Sequence, residues 1–560
     1  MPKFTSFGQI GKGGINTDIM PCDLPAEFIT AGNNFRVSNG AIKTNGGSLR
    51  WYADGALDKP GFLLAVSDNL EQLWIICTVN GVYVFDGENH YEIYDLSASP
   101  LVDNTVWSGC LCGGIAILNH PELGCLYWVP SIFPLNMAQF LPYNATTDWD
   151  TVTTQRFGHI VRSHRNYLLM LNMNEPISGT TNIPDAYRWS HPADINSIPP
   201  SWDETDPLFL AGLAQLGGES GRIIDGLSLR DSFVIYSDNA INILELSGDD
   251  FVWNRRQLTV TSGLLARDCV VEVQGLHYYI SNGDIMVFDG TTTKSIMESR
   301  IRTHFRANIA IAHYENSFAL SNLNYKEVWF CVPTGSSEYS NLAYIFNWEQ
   351  NTWAIRSLPD NLTYATFGSK SEGPITWNTY FNLADFEEWS ETVGDWSVND
   401  ETWQYIQNQA LWPEWEDNEL PWGATTFSPF DDTVIGCIDD GDIRDLDVSN
   451  YGYFVGDASK PNTLIERTDL PLEGLEVVTT ITAVYPKING SSPVQITFGS
   501  QDFKGAPVRW KNSKVFNPQT QRKLEVRTTG SLHCWRVESI DHGQFTISGM
   551  DVEYSINGLR

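Results

Sequence analysis

The chain has 560 residues, 42% of them hydrophobic and 12% aromatic, which is enough apolar surface to bury substantial cores and too much for a globally disordered chain. Its formal net charge is −33, from 68 acidic against 35 basic residues, so ordinary nucleic-acid binding through phosphate neutralisation is excluded as a main activity. No stretch of about eighteen consecutive apolar residues is present to span a bilayer, and the opening MPKFTSFGQIGKGG lacks the apolar core of a secretory signal; a soluble product made in a cytoplasm is expected.

In chain order, residues 1–55 read as an extended arm, punctuated by Gly and Asn and ending in a hairpin. Residues 56–371 then repeat one grammar. LWIICTV runs into Asn80-Gly81, VYVF leaves it, and Asp86-Gly87 turns the chain into YEIY. About two hundred residues later LHYYI, Asn282-Gly283, IMVF, Asp289-Gly290 and TKSIM say the same thing. Asn-Gly between short apolar runs predicts a type I′ hairpin turn, whose two central residues both need positive φ. Looser copies are SFVIYSDNAINILELSGDDFVWNRRQ and EVWFCVPTGSSEYSNLAYIFNWEQNTWAIRSL; weaker ones are GGIAILNHPELGCLYWVP and RNYLLMLNM with AYRWSH. Helical periodicity is scarce, with SIMESRIRTHF the best segment and LEQLW a lesser one.

A meander of three or four strands cannot bury both faces alone, so several must pack together, and radial packing gives a β-propeller. Six to seven units can be counted, and an all-β fold with a six-bladed propeller is expected; separate antiparallel sandwiches are the alternative. Residues 372–425 break the grammar with an acidic, Trp-rich insertion, and TVIGCIDDGDIRDLDV within 426–455 reads as a last blade or the closure of the propeller. From 456 to 560, LEVVTTITAVYPKI, VQITFGSQ, RKLEVRTTG, HCWRVESI and FTISGMDVEYSI alternate apolar and polar residues, the pattern of an antiparallel β-sandwich.

The charge is polarised along the chain. Between Lys370 and Arg444 there is no Lys or Arg, whereas the last hundred residues carry Lys504, Arg509, Lys511, Lys514, Arg522, Lys523 and Arg527.

Catalytic constellations are missing from the sequence. No G-x-S-x-G, H-E-x-x-H or G-x-x-x-x-G-K-[ST] motif occurs, and GQIGKGG has the wrong spacing for a phosphate loop. The ten histidines are scattered without metal-ligand spacing, and the nine cysteines fit neither a disulfide framework nor paired zinc ligands; free, mostly buried thiols are expected. DDGDIRDLD at 439–447 could chelate calcium but lacks the Gly and Glu of an EF-hand loop, so a solvated turn is favoured. SGDDFVW at 247–253 departs from a sialidase box at its Gly and Trp positions. Neither a metal nor a cofactor is expected, and no catalytic residue is assigned.

Three places carry a resemblance. The opening GGINTDIMPCDLPAEFITAGNNFRVSNGAIKTNGG, the blade GLHYYISNGDIMVFDG with IRTHF after it, and the ending IERTDLPLEG with SGMDVEYSINGLR are similar to the tail nozzle or tail hub proteins of short-tailed bacteriophages, a group that includes packaged-DNA stabilisation proteins. The resemblance implies a non-enzymatic virion protein, made in the host cytoplasm, six copies of which form a tube for the genome. Its implied partners are the portal-adaptor protein, tail fibres or tailspikes, the host surface at the tip, and genomic DNA sliding through without specific binding. A lumen lined with carboxylates would repel phosphate.

On that reading, candidates for the channel or tip are Asp385, Glu387, Glu388, Asp395, Glu401, Glu414, Glu416 and Asp417. Trp389, Trp396, Trp403, Trp412 and Trp415 are interface candidates, and Lys504, Arg509, Lys511, Lys514, Arg522 and Lys523 are candidates for contact with the adaptor or the next subunit. The competing readings are a carbohydrate-binding or glycan-cleaving propeller for receptor recognition and a generic propeller scaffold for protein partners, since tryptophans beside carboxylates also suit a sugar site.

Overall fold

The computed structural model describes residues 3–53, 57–68, 71–87, 89–132, 136–151, 156–175, 181–217, 220–247, 252–259, 263–370, 432–448, 462–540 and 543–559. Its strands arise from the apolar runs noted above. LWIIC, IAILNH, FVIYS, HYYIS and EVWFCV are each the second strand of a four-stranded antiparallel unit, and their residues are almost all buried. A strand in that position is covered on both faces by neighbouring units, so it needs a continuous apolar run, whereas outer strands alternate. Burying each large aliphatic or aromatic side chain contributes about 1.5–3 kcal/mol.

Five units are separate sheets: 62–95, 108–140, 157–215, 223–259 and 270–295. The remaining seven-stranded sheet holds two more. The 18-residue strand Thr352–Ser369 is the outer strand of one, where its first half pairs with Ser340–Asn347. Its second half is the first strand of the next, where it pairs with Asp432–Ile438. Asp442–Val448 follows, and Gly47–Ala53 adds the outermost strand, joining the start of the ring to its end.

The first strands of all seven units touch in ring order, from Phe62–Asp68 round to the second half of Thr352–Ser369 and back. This is an all-β arrangement of four-stranded sheets consistent with a β-propeller. It has seven units rather than the six expected, because one strand serves two of them and the closing strand comes from residues near the chain start.

Other details also differ from expectation. The EQLW of LEQLW lies in the strand Glu71–Cys77; the one α-helix among the described residues is Arg302–Asn308, which takes in only the last four residues of SIMESRIRTHF and runs three beyond it. The two Asn-Gly turns are not alike, and neither is type I′. Only Gly283 is left-handed, at φ +73°, while the backbone amides of Asn80 and Gly81 instead donate to the Thr78 hydroxyl, a side-chain turn that removes the need for positive φ.

Residues from 464 onward form two packed sheets. One has the strand order 524–530, 477–489, 546–559, 41–44, 35–38; the other runs 509–510, 494–501, 532–539, 464–470, 31–33. The stretch 1–55 was expected as an arm with a terminal hairpin; its described residues, 3–53, are instead distributed over both bodies. Lys3–Gly8 pairs with Thr546–Leu559, Ala31–Asn33 and the hairpin Phe35–Ser38/Ala41–Thr44 finish the two sheets, and Gly47–Ala53 closes the ring. One continuous apolar core runs from Val234 and Phe330 in the ring to Val484 and Trp535 in the sandwich.

Candidate functional site

The first strands of the seven units line the middle of the ring, and a layer of side chains crosses it there. Arg162, in Phe157–His164, makes a two-pronged bond to Asp225 in the next unit, Nε to Oδ1 at 2.9 Å and Nη2 to Oδ2 at 2.8 Å. The same Nη2 reaches Asp268 at 2.6 Å. Asp225 also accepts the backbone amides of Gly226 and Asp268, at 2.7 and 2.9 Å. Arg267 donates to Asp268 at 3.2 Å and to the backbone carbonyls of Thr105 and Val106. Tyr364 packs its ring against Phe62 and Phe318, with centroids 5.0 and 5.5 Å away.

The electrostatics follow from burial. Taking Arg162 out of water disfavours its charge, but Asp225 and Asp268 outweigh that cost and hold its pKa above the ordinary value. Burial pushes the Tyr364 hydroxyl well up, so it stays protonated. The layer Arg162–Asp225–Asp268–Arg267 divides the axis into two hollows, of about 610 and 530 Å³. The larger opens among His159, Arg222, Arg267, His313, Glu338 and Tyr339; the smaller lies beside Cys110, Arg162, Asp225 and Tyr364. Burial and the nearby Arg267 and Arg222 lower the pKa of His159, so it faces its hollow as neutral imidazole at neutral pH.

A second buried ionic group ties the ring to the sandwich. Arg36, in the sandwich strand Phe35–Ser38, bonds both oxygens of Glu327 at 3.1 Å and Asp447 at 2.8 Å; Arg356 bonds the other oxygen of Asp447 at 3.2 Å. All four side chains are at most 5% exposed. The Arg36 guanidinium lies 3.5 Å over the Tyr325 ring, and Trp329 Nε1 donates to Glu327 at 3.1 Å. Burial raises the pKa of Asp447, but the two guanidiniums reverse this and hold it low; at Glu327 burial prevails and the pKa is raised.

The alternating carboxylates of 439–447 do not converge on a common point. Asp439 accepts from Tyr339 and Asn104, Asp442 from Arg50 and Arg444, Asp445 from Thr433, and Asp447 belongs to the buried quartet. Among the described residues no group of three or more His, Cys, Asp or Glu side chains could hold a metal ion. The nine cysteines are free, and seven of them are buried.

The acidic candidates Asp385, Glu387, Glu388, Asp395, Glu401, Glu414, Glu416 and Asp417 and the aromatic candidates Trp389, Trp396, Trp403, Trp412 and Trp415 lie outside the described residues. The structure does place the departure point of their segment: Ser369 and Asp432 face each other as paired residues of the seventh unit.

The basic candidates are all exposed but not all together. Lys504 pairs with Asp23 at 3.3 Å and Arg509 with Asp502 at 2.6 Å, in and after the turn that follows strand 494–501. Lys511 directly follows the short strand Arg509–Trp510; Lys514, Arg522 and Lys523, joined by Arg527, lie on the short strand Lys514–Phe516, the turn after it and the edge strand Leu524–Gly530.

The axial layer was not foreseen. Its signal was present as a charged residue interrupting an apolar run at the first strand of consecutive units, in FGHIVRSH, IIDGLSL and LLARDCVV.

Compared with known proteins, the chain matches no family model and no curated protein. Among solved structures, a chain described as "Crystal Structure of Mitotic Checkpoint Complex" shares 9% identity with it at a TM-score of 0.34, covering 71% of this chain and 97% of that one.

Proposed function

We propose that the chain is a structural subunit of the tail of a short-tailed bacteriophage. Six copies would ring the passage in which the genome is held and through which it is then ejected. The observation that carries this reading is the closed axis of the propeller. Because Arg162, Asp225, Arg267 and Asp268 are spent on one another and on backbone groups, the ring of a single chain is a rigid block and not a conduit. A passage for DNA then has to be enclosed between copies. The fused core and buried quartet make each copy one stiff piece, as a load-carrying ring requires. The net charge of −33 favours a bore from which a polyanion is repelled. Portal-adaptor and fibre proteins would be its neighbours above and beside the ring, and no chemistry is assigned to it.

Imaging of intact particles tests the reading. The expected result is a six-fold ring of this chain below the head, enclosing a bore lined with Asp and Glu. An unringed copy, or a bore coated with Lys and Arg, would overturn it.

The hollow of about 610 Å³ favours a second reading, a receptor-binding propeller that takes a glycan at one end of its axis. A glycan array and a reducing-sugar release assay separate the two: binding that is lost in Arg222→Ala and Tyr339→Phe would favour the receptor reading.

A further inference from the structure

We propose that the basic edge of the sandwich docks the acidic, Trp-rich segment 371–431 of a second copy of this chain, so that copies associate head to tail.

The edge is open in both sheets. Leu524–Gly530 ends the order of one sheet, and the short strands Arg509–Trp510 and Lys514–Phe516 end the other. Among the described residues no strand pairs with the outer side of either. Five cations cluster there: Lys511, Lys514, Arg522, Lys523 and Arg527. Glu525 is the one carboxylate bonded to any of them among the described residues, 3.9 Å from Lys523. Val515, 56% exposed, lies among them. A single lysine on an edge is enough to discourage strand-to-strand aggregation. Five cations gathered on one edge of a chain of net charge −33 exceed that need and amount to a site for a polyanion.

The occupant is chosen by charge. Segment 371–431 holds thirteen Asp and Glu, no Lys or Arg, and seven tryptophans. Carboxylates would meet the ammonium and guanidinium groups, and indole faces would take the arginines and the stems of the lysines.

Sheet order leaves this edge open to a second copy. The strands that pack on the ring are Ala31–Asn33 and Phe35–Ser38, which touch Thr352–Ser369. They are the opposite ends of the same two five-strand orders, so the basic edge lies about 19 Å further out, at about 4.8 Å per strand spacing. The segment departs from the ring, at Ser369 and Asp432, and the edge faces away from it. An interface that joins two different surfaces is heterologous, and it closes into a ring if the rotation allows or runs on as a filament if it does not. The inference deepens the ring reading without depending on where such a ring sits.

The test is zero-length carbodiimide cross-linking of a one-to-one mixture of unlabelled and ¹⁵N-labelled full-length chain at tens of micromolar. Mixed-label products are expected that join Lys511, Lys514 or Lys523 to carboxylates between Glu372 and Asp431. Raising the salt to about 0.5 M should cut them at least tenfold. The quadruple variant Lys511→Glu, Lys514→Glu, Arg522→Glu, Lys523→Glu should lose association by sedimentation while keeping the wild-type circular dichroism. Mixing it with a chain lacking 371–431 should restore one-to-one dimers and nothing larger, since each partner then keeps one half of the interface. Cross-links confined to one label, none at all, or failure of the complementing pair to dimerise would overturn the proposal. If the dimers form but particles show no ring of this chain, the virion reading fails and the interface stands.

Discussion

Arginine does opposite work in two regions of this molecule. At the axis and at the ring–sandwich junction, the Arg162 side chain is 11% exposed and that of Arg36 5%, and each is held by two carboxylates. At the edge around Leu524–Gly530, Arg522 and Arg527 stand in solvent, and neither has an ion pair among the described residues. Desolvation is the difference. A buried guanidinium without a counter-charge costs several kcal/mol, so the fold must supply one, whereas an exposed one costs little and remains available to a partner.

The contrast is broken or sharpened by four measurements. The largest effect is expected for Asp225→Ala, which leaves Arg162 with Asp268 as its one carboxylate partner and frees two backbone amides. Urea unfolding of the full chain should show a loss of about 3–5 kcal/mol, and a loss below about 1 kcal/mol would mean the axis is not held by charge.

Asp447→Asn keeps the shape of the quartet and removes its central charge. A loss of about 3 kcal/mol is expected, together with faster amide exchange in the hairpin 35–44, which reports the junction in particular.

The third measurement sets the ring against the sandwich by pH. Burial pushes His277, in the ring, and His533, in the sandwich, down to about 4. Their folded-state pKa lies below the unfolded value near 6.5, so each contributes stability that is full above pH 6.5 and is lost as pH falls toward 4. Between pH 7 and 5 each should account for about 2 kcal/mol of lost stability. His277→Gln and His533→Gln should each flatten that slope, and a slope unchanged in both variants would refute the assignment.

The smallest effect belongs to the edge. Lys511→Ala and Arg527→Ala should change unfolding stability by less than about 0.5 kcal/mol while weakening self-association, a separation that neither Asp225 nor Asp447 can show.

Much of the ring was legible because its physics is local. An apolar run such as IAILNH or EVWFCV must be covered on both faces, and turn residues at intervals cut the chain into strands of the right length. The basic cluster was legible for the same reason, since exposed charge needs no partner to be recognised. The blade count was not, because Thr352–Ser369 is one continuous strand and its change of partner, from Ser340–Asn347 to Asp432–Ile438, is what divides it between two units. The Asn-Gly turns misled because Thr78, two residues before Asn80, offers a hydroxyl that the second copy lacks.

By itself, then, the sequence determined an all-β chain with repeated antiparallel meanders, free thiols, no recognisable catalytic motif, and acidic and basic stretches kept apart. Tertiary structure alone decided that residues 31–44 complete the sandwich, that Gly47–Ala53 closes the ring, and that Arg36 meets Glu327 and Asp447, some three and four hundred residues away. Strand formation and exposure depend on near neighbours, which a sequence displays. Ring closure and the matching of buried charges depend on which distant segments share one low-dielectric space, and that is fixed only once the whole chain has packed.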